Sequence, residues 1–157
     1  MAKLSAGVLL YRRRAHGLEV FLVHPGGPFW KGKDLGAWSI PKGEYAAGEE
    51  PMDAAKREFR EETGFELPHG EWRFLSEVKL TSGKLVRAWA IEGDCDADAA
   101  HSNLFSMEWP PRSGKTREFP EVDRAAWFSV ETAQSKIHAA QRAFLDRLVE
   151  IAGDEKH

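Results

Sequence analysis

Residues 43–65 read Gly-Glu-Tyr-Ala-Ala-Gly-Glu-Glu-Pro-Met-Asp-Ala-Ala-Lys-Arg-Glu-Phe-Arg-Glu-Glu-Thr-Gly-Phe. Pro51 suits the first turn of a helix, where its missing N–H is not needed, and Gly64 suits the left-handed residue that ends one. Between them, apolar residues at spacings of three and four form a stripe on one side: Met52, Ala55 and Phe59. This pattern predicts a short helix over residues 51–63 that packs on a core through that stripe.

Three glutamates, Glu58, Glu61 and Glu62, lie on one flank of this predicted helix. At about 100° per residue they fall within an arc of roughly 100°, so their carboxylates repel one another. Such charges are typical of a solvated helix face, on which Arg57 and Glu61 would form an ordinary ion pair. They also suit a hard divalent cation, because Mg²⁺ prefers carboxylate oxygens together with water and phosphate. The charge pattern alone leaves both interpretations open.

The same stretch fills every position of a known signature, G-x5-E-x7-R-E-U-x-E-E-x-G-U, in which U is a bulky apolar residue. The matching residues are Gly43, Glu49, Arg57, Glu58, Phe59, Glu61, Glu62, Gly64 and Phe65. With this match the chain resembles the Nudix hydrolases. The resemblance implies a single domain over residues 1–157 with the Nudix fold, an α+β arrangement in which helices flank a mixed β-sheet as an α/β/α sandwich. It also favours a metal-binding catalytic helix over a solvated face.

The resemblance further implies roles for individual residues. Those expected to hold Mg²⁺ or Mn²⁺ are Glu58, Glu61, Glu62, the carbonyl of Lys42 and the backbone at Gly43. Those expected to take part in catalysis are Glu58, Glu61, Glu121, Arg57 and Glu49. Among them, Glu49 and Arg57 would form a pair that braces the loop against the helix, orienting the ligands.

The resemblance leaves two candidates for the general base. Glu58 belongs to the motif itself. Glu121 lies far along the chain, within Glu118-Phe119-Pro120-Glu121-Val122-Asp123, where it would serve as the base, as a distant metal ligand, or as an ordinary solvated side chain. Both assignments stay open at this stage.

Substrate identity depends on residues outside the motif. The segment Trp38-Ser39-Ile40-Pro41-Lys42-Gly43 resembles the Trp-x-x-Pro-Lys-Gly segment of diadenosine polyphosphate hydrolases and their diphosphoinositol-cleaving relatives. Residues 121–128 are similar to the segment before the last helix of those enzymes. The leading expectation is a dinucleoside polyphosphate such as diadenosine tetraphosphate. The alternatives are a house-cleaning nucleoside triphosphate pyrophosphatase, an RNA-end pyrophosphohydrolase, and a non-catalytic nucleotide-binding module.

Aromatic and basic residues supply candidates for contacts with such a substrate. The predicted substrate-binding residues are Phe29, Trp30, Lys33, Lys42, Tyr45 and Lys115. A nucleobase stacks on aromatic rings, and Phe29 and Trp30 lie in a glycine-rich segment where rings are expected at the surface. Trp89 and Trp109 are further stacking candidates. The pattern around the remaining tryptophans, and around Trp89 as well, predicts core positions: Trp38, Trp72, Trp89 and Trp127.

Composition and length limit the partners, cross-links and location that can be expected for the chain. The chain has 157 residues and a formal net charge of −3, so no general basic footprint for nucleic acid is visible and nucleic acid is not an expected partner. Cys95 is the single cysteine, which excludes an internal disulfide. No apolar run approaches the length of a membrane span, and the first residues lack the apolar region of a signal peptide. A cytoplasmic protein is the expectation, and the oligomeric state is left open.

Apolar alternation predicts the remaining elements. Strands are expected at 4–12, 18–24, 38–40, 73–80, 85–91, 104–109 and 125–128. Loops are expected at 24–37, 92–103 and 110–122, and helix at 131–152 with a break near His138. Strands that dominate the first half, together with an interior helix and a terminal one, favour a mixed sheet with helices packed on it.

Overall fold

The computed structural model describes residues 3–153, which contain eight strands and three α-helices. Their bounds are β1 Leu4–Arg14, β2 Gly17–Pro25, β3 Lys42–Glu44, α1 Pro51–Thr63, β4 Arg73–Lys79, β5 Leu85–Glu92, β6 Leu104–Glu108, β7 Thr116–Pro120, β8 Val122–Ser129, α2 Val130–Lys136 and α3 Arg142–Ala152. Two 3-10 turns, Ala97–Ala99 and Ala139–Gln141, interrupt the loops between them. No helix within residues 3–153 has both the length and the apolar character needed to cross a bilayer.

Six of these strands form one mixed sheet. The order is β4-β5-β1-β2-β8, and β1 and β5 run parallel whereas the other pairs are antiparallel. The long strand β1 pairs with β2 through its second half and with β3 through its first half. Strands β6 and β7 form a separate two-stranded hairpin.

The side chains of β1 alternate between two cores, one on each face of the sheet. Val8 and Leu10 pack with Phe59 of α1, whereas Leu9 packs on the opposite face with Phe144 of α3. A strand that is buried on both faces needs a covering layer on each side, and here α1 and α3 supply the two layers. The expected α/β/α sandwich is therefore confirmed.

Helix α1 begins at Pro51 and ends at Thr63, as the sequence pattern predicts. Gly64 follows with φ 77°, and its N–H donates to the carbonyl of Arg60 in the expected left-handed helix end. The residues of α1 that are buried are Ala54, Ala55, Phe59 and Thr63. The opposite flank is left free to carry the glutamates.

The strand expected at residues 38–40 is wrong, because only isolated bridges occur there. Trp38 bridges Ile137 and Ser39 bridges Val23, and a continuous ladder forms only at Lys42–Glu44. Pro41 stands between the two segments. Since proline has no N–H to donate, a ladder cannot run through it, and β3 begins immediately after it.

The loop expected at residues 110–122 is also wrong in its second half, where Thr116–Pro120 forms β7. Pro110 and Pro111 mark the turn of a hairpin rather than a long irregular loop. The strand escapes detection because its first three residues are exposed, so it has no apolar alternation. By contrast, the expected helical break near His138 is confirmed between α2 and α3.

Candidate active site

Strand β3 and helix α1 meet where the glycine of the motif faces a glutamate. An ideal Cβ added at Gly43 would lie 2.1 Å from the carboxyl atoms of Glu58, so a larger residue would displace that carboxylate from its present position. The preceding backbone amide, that of Lys42, donates to Glu62 Oε1 at 3.2 Å. The first two residues of β3 and the last two turns of α1 therefore meet at one polar junction.

Arg57 lies at the centre of a carboxylate cluster. Its Nε donates to Glu49 Oε2 at 3.3 Å, which ties the loop before α1 to the helix. Its Nη1 lies 3.5 Å from Glu58 Oε1 and 3.4 Å from Glu61 Oε2. One guanidinium thus balances part of the charge of three carboxylates in a partly buried setting.

Two carboxyl groups at this junction, those of Glu58 and Glu62, have a raised pKa. Burial, and then the nearby Glu58 charge, raises the pKa of Glu62 to about 8, although the Lys42 N–H acts in the opposite direction. Burial raises the pKa of Glu58 as well, and the charge of Glu61 adds to the effect. Repulsion and desolvation both disfavour the charged form of these carboxylates, so a cation that approaches them stabilises that form.

Glu121 stands at the junction of β7 and β8 and belongs to the same cluster. Burial, and then the charge of Glu61, raises its pKa. Main-chain hydrogen bonds hold it there: Gly26 N donates to Glu121 O at 2.9 Å, Glu121 N to Asn103 O at 2.9 Å, and Asn103 N to Glu61 O at 3.0 Å. This ladder joins the start of the loop after β2, the base of the hairpin and the end of α1.

The chemistry of these donors fits a divalent cation such as Mg²⁺ or Mn²⁺. All are hard carboxylate oxygens, and glycine at position 43 brings the main chain directly against Glu58. No three acidic, histidine or cysteine side chains among residues 3–153 already converge on a single point as a metal cage. Arg57 holds Glu58 and Glu61, and the Lys42 amide holds Glu62, so a cation would take over contacts that these groups now make.

The loop between β2 and β3 carries the predicted stacking residues. Phe29 is 59% exposed and Trp30 is 39% exposed, and Lys33 Nζ lies 5.3 Å from the centre of the Trp30 ring. Buried His24 fixes this loop: its Nε2 donates to the carbonyl of Lys33 at 2.6 Å, and its Nδ1 lies 2.7 Å from Asp123 Oδ1. The rings are therefore presented to solvent by a loop whose base is anchored.

The other predicted substrate residues lie elsewhere. Tyr45 is half-buried against the core on the α1 side, and Lys115 is exposed at the turn of the β6–β7 hairpin. Lys42 is largely buried, and its pKa is lowered by burial and then by the charge of Lys84. Only Lys42 in this group touches the carboxylate cluster directly, through its main-chain amide.

The tryptophans expected in the core divide into two groups. Trp38 is fully enclosed, at 3% exposure, whereas the others are partly buried against the α1-side core: Trp72, Trp89 and Trp127.

Sequence reasoning missed the backbone role of Asn103 and the anchoring role of His24 and Asp123. Asn103 acts only through its amide and carbonyl, which leave no signature in the residue type. His24 stands at the end of an apolar strand, and a buried histidine beside a glycine-rich loop is a signal that could have been pursued.

Comparisons with known proteins show the family and agree with the fold. The family model described as NUDIX domain matches residues 1–148. The fold is similar to a C. elegans Ap4A hydrolase, with a TM-score of 0.65 and 20% identity over 95% of this chain and 98% of that one. It is also similar to the NUDIX domain of Shewanella oneidensis NrtR complexed with ADP ribose, with a TM-score of 0.66 and 15% identity over 96% and 88%. A third likeness is to the C-terminal domain of mouse MUTYH in complex with human PCNA, with a TM-score of 0.62 and 18% identity over 98% and 91%. With the family model spanning nearly the whole chain, the protein belongs to the NUDIX family.

Proposed function

We propose that this Nudix pyrophosphohydrolase uses Mg²⁺ or Mn²⁺ to cleave a phosphoanhydride bond in a substrate that contains a nucleoside diphosphate. A dinucleoside polyphosphate such as diadenosine tetraphosphate is the best candidate. The observation that carries the proposal is that three glutamates near the last turns of α1, namely Glu58, Glu62 and Glu121, all have a raised pKa, and that the charge of Glu121 acts on both of the others. Neighbouring carboxyl groups with raised pKa values are typical of a catalytic site rather than a solvated face.

Binding of the cation falls to the motif residues. Glu58, Glu61 and Glu62 supply the carboxylate oxygens, and the backbone at Lys42 and Gly43 borders them. A bound divalent cation neutralises phosphate charge and lowers the pKa of a bound water. Arg57, itself held by Glu49, would keep the neighbouring carboxylates oriented toward the cation.

The proton of the attacking water needs an acceptor close to the cluster. Glu121 is our first candidate, because the main-chain ladder to Glu61 holds it beside the motif while part of its side chain stays in contact with solvent. Glu58 is the second candidate, but its side chain already lies against Gly43 and Arg57. A base with a raised pKa accepts a proton near neutral pH more readily than an ordinary carboxylate.

Two features support the dinucleoside polyphosphate assignment. One is the Trp-x-x-Pro-Lys-Gly segment, which places Trp38 in the core and the Lys42 amide on Glu62. The other is the likeness of the whole fold to the C. elegans Ap4A hydrolase. Phe29, Trp30 and Lys33 would then contact the base and phosphates from the anchored loop.

The test is a substrate panel in ¹⁸O-water with Mg²⁺ or Mn²⁺, resolved by mass spectrometry. The panel contains diadenosine tetraphosphate, nucleoside triphosphates, ADP-ribose and 5′-triphosphate RNA. We expect preferred turnover of diadenosine tetraphosphate, with label in one product that identifies the attacked phosphorus. Preference for another member would replace the proposed substrate. Turnover of no member by folded, metal-binding protein would contradict hydrolysis and favour a nucleotide-binding module.

A further inference from the structure

The hairpin formed by β6 and β7 displays an aromatic face. Phe105 lies directly opposite Phe119, with ring centres 6.0 Å apart, and Met107 lies opposite Arg117. Trp109 continues the row, because its N–H donates to the carbonyl of Lys115 at 2.9 Å. Since alternate residues of a strand point the same way, the side chains at 105, 107 and 109 share this face.

This face is turned toward the loop that carries the predicted stacking residues. A Cβ added at Gly27 would lie 3.0 Å from the Phe105 ring, so loop and hairpin touch there. Further out, Phe29 and Trp109 meet edge to face, with ring centres 5.5 Å apart and an interplanar angle of 87°. Phe29 keeps 59% of its surface exposed despite this contact. The Phe29–Trp109 pair is thus an open aromatic surface built from two separate segments.

Two basic residues lie on the same hairpin as Trp109. Lys115 is bonded through its main chain to Trp109, and the Arg117 guanidinium lies 5.6 Å from the Phe119 ring centre on the same face. Within residues 3–153, neither of these cations nor Lys33 forms an ion pair with an acidic side chain. Open rings beside unneutralised cations suit a nucleotide, whose base stacks and whose phosphates need positive charge.

Trp109 lies toward the opposite end of the hairpin from Glu121. The end of the hairpin where β6 begins and β7 ends is joined to the end of α1 by main-chain hydrogen bonds of Asn103 and Glu121. Trp109 lies one residue beyond the end of β6, which begins beside Asn103, so six residues at about 3.3 Å each place it roughly 20 Å along the strand. A nucleobase held at Trp109 and a phosphate held at the carboxylates would then be joined by a phosphate chain that runs along the hairpin.

We propose that the Phe29–Trp109 pair binds the nucleobase that lies farther from the cleaved bond, and that the hairpin thereby favours long polyphosphate chains over short ones. This inference rests on the proposed function. It assigns to the hairpin a specificity role, separate from the carboxylates that act on the phosphate. Lys115 and Arg117 would contact the phosphates that lie between this nucleobase and the carboxylates.

The first test compares KM and kcat for diadenosine tri-, tetra- and pentaphosphate and for ATP in the wild type and in Trp109→Ala. We expect KM for the tetra- and pentaphosphate to rise at least roughly five-fold, the equivalent of about 1 kcal/mol of stacking, with kcat nearly unchanged. KM for ATP should change little. Trp109→Phe, which keeps an aromatic ring, should restore most of the binding.

The matched control is Phe74→Ala. Phe74 is 54% exposed and pairs with Trp89 at 5.2 Å, so it offers a second exposed aromatic pair that belongs to the main sheet and not to the hairpin. It should leave every KM unchanged. Equal effects of Trp109→Ala on all chain lengths, or no effect on any, would overturn the inference.

A second readout does not depend on turnover. Calorimetric titration of metal-free protein with diadenosine tetraphosphate should show weaker binding in Trp109→Ala and in the double charge reversal Lys115→Glu, Arg117→Glu, whose exposed sites tolerate substitution. Equal affinity of the charge-reversed and wild-type proteins would contradict the hairpin site. Absence of hydrolysis in the wild type would instead count against the proposed function, while this titration still decides the hairpin inference.

Discussion

At the scale of single residues, Glu62 offers the sharpest test of the motif. Its Oε1 accepts the Lys42 amide, and its burial raises the pKa to about 8. Glu62→Gln keeps an oxygen acceptor for that amide but removes the charge that a cation needs. We expect Mg²⁺-dependent turnover to fall by more than the roughly 10–100-fold that follows loss of a ligand's supporting partner. Steady-state kinetics would measure the loss of turnover, and a thermal melt would show whether the variant is folded.

Glu66→Gln is the matched control, because Glu66 is exposed just beyond the end of α1. It should retain full activity. If Glu62→Gln also kept normal turnover while folded, Glu62 would not be a ligand. The carboxylate cluster would then be a structural ion-pair network centred on Arg57.

Cys95 provides a residue-scale prediction that does not involve the motif. Burial, and then the charge of Asp94, raises the pKa of its thiol to about 11. Because the thiolate is the reactive form, we expect alkylation by iodoacetamide to be slow near neutral pH and to keep rising up to about pH 10. Mass spectrometry against free cysteine as the reference would follow the rate, and a plateau near pH 9 would show that the thiol is not perturbed.

At the scale of elements, the loop between β2 and β3 depends on His24. This buried ring bonds the carbonyl of Lys33 and lies beside the Asp123 carboxylate. His24→Ala removes both of these hydrogen bonds, each worth about 0.5–1.5 kcal/mol, and leaves a cavity in place of the buried ring. We expect the free energy of unfolding in urea to fall by at least that amount, with His69→Ala, at an exposed position, as the control.

The same variant should also raise KM, because Phe29 and Trp30 lose the anchor that presents them. Unchanged stability and unchanged KM together would show that the loop is held by its other contacts, such as the Gly36 amide on the Ser135 carbonyl.

Elements differ in how well the sequence predicts them. Helix α1 was predictable to the residue, because Pro51, Gly64 and the apolar stripe are all local signals. Strand β7 was not, since its exposed residues have no buried face and therefore no periodicity. In the site, the spacing of the motif places Glu58 and Glu62 on one flank. The nearness of Glu121 depends on main-chain bonds through Asn103, to which side-chain identity contributes nothing.

At the scale of the whole molecule, the carboxylate cluster is a source of instability that the fold tolerates. Helix α1 is held through Phe59 to the core on one face of the sheet, while its other flank gathers carboxylates whose charged form is disfavoured. The packing that stabilises the molecule thus also enforces the repulsion at the site. A cation that binds only the folded arrangement should relieve this repulsion and stabilise the entire domain.

We therefore expect saturating Mg²⁺ or Mn²⁺ to raise the melting temperature of the wild type by several degrees. A ligand at 100 times its Kd contributes about 2.7 kcal/mol to the folded state. For a domain of this size, each kcal/mol corresponds to roughly 2–4 °C. Glu62→Gln should lose most of this shift. Differential scanning calorimetry at constant ionic strength, with KCl replacing the divalent salt, separates binding from general screening of charge. An equal rise in KCl, or an equal rise in Glu62→Gln, would mean that the cation acts on the protein's overall charge and not at the end of α1.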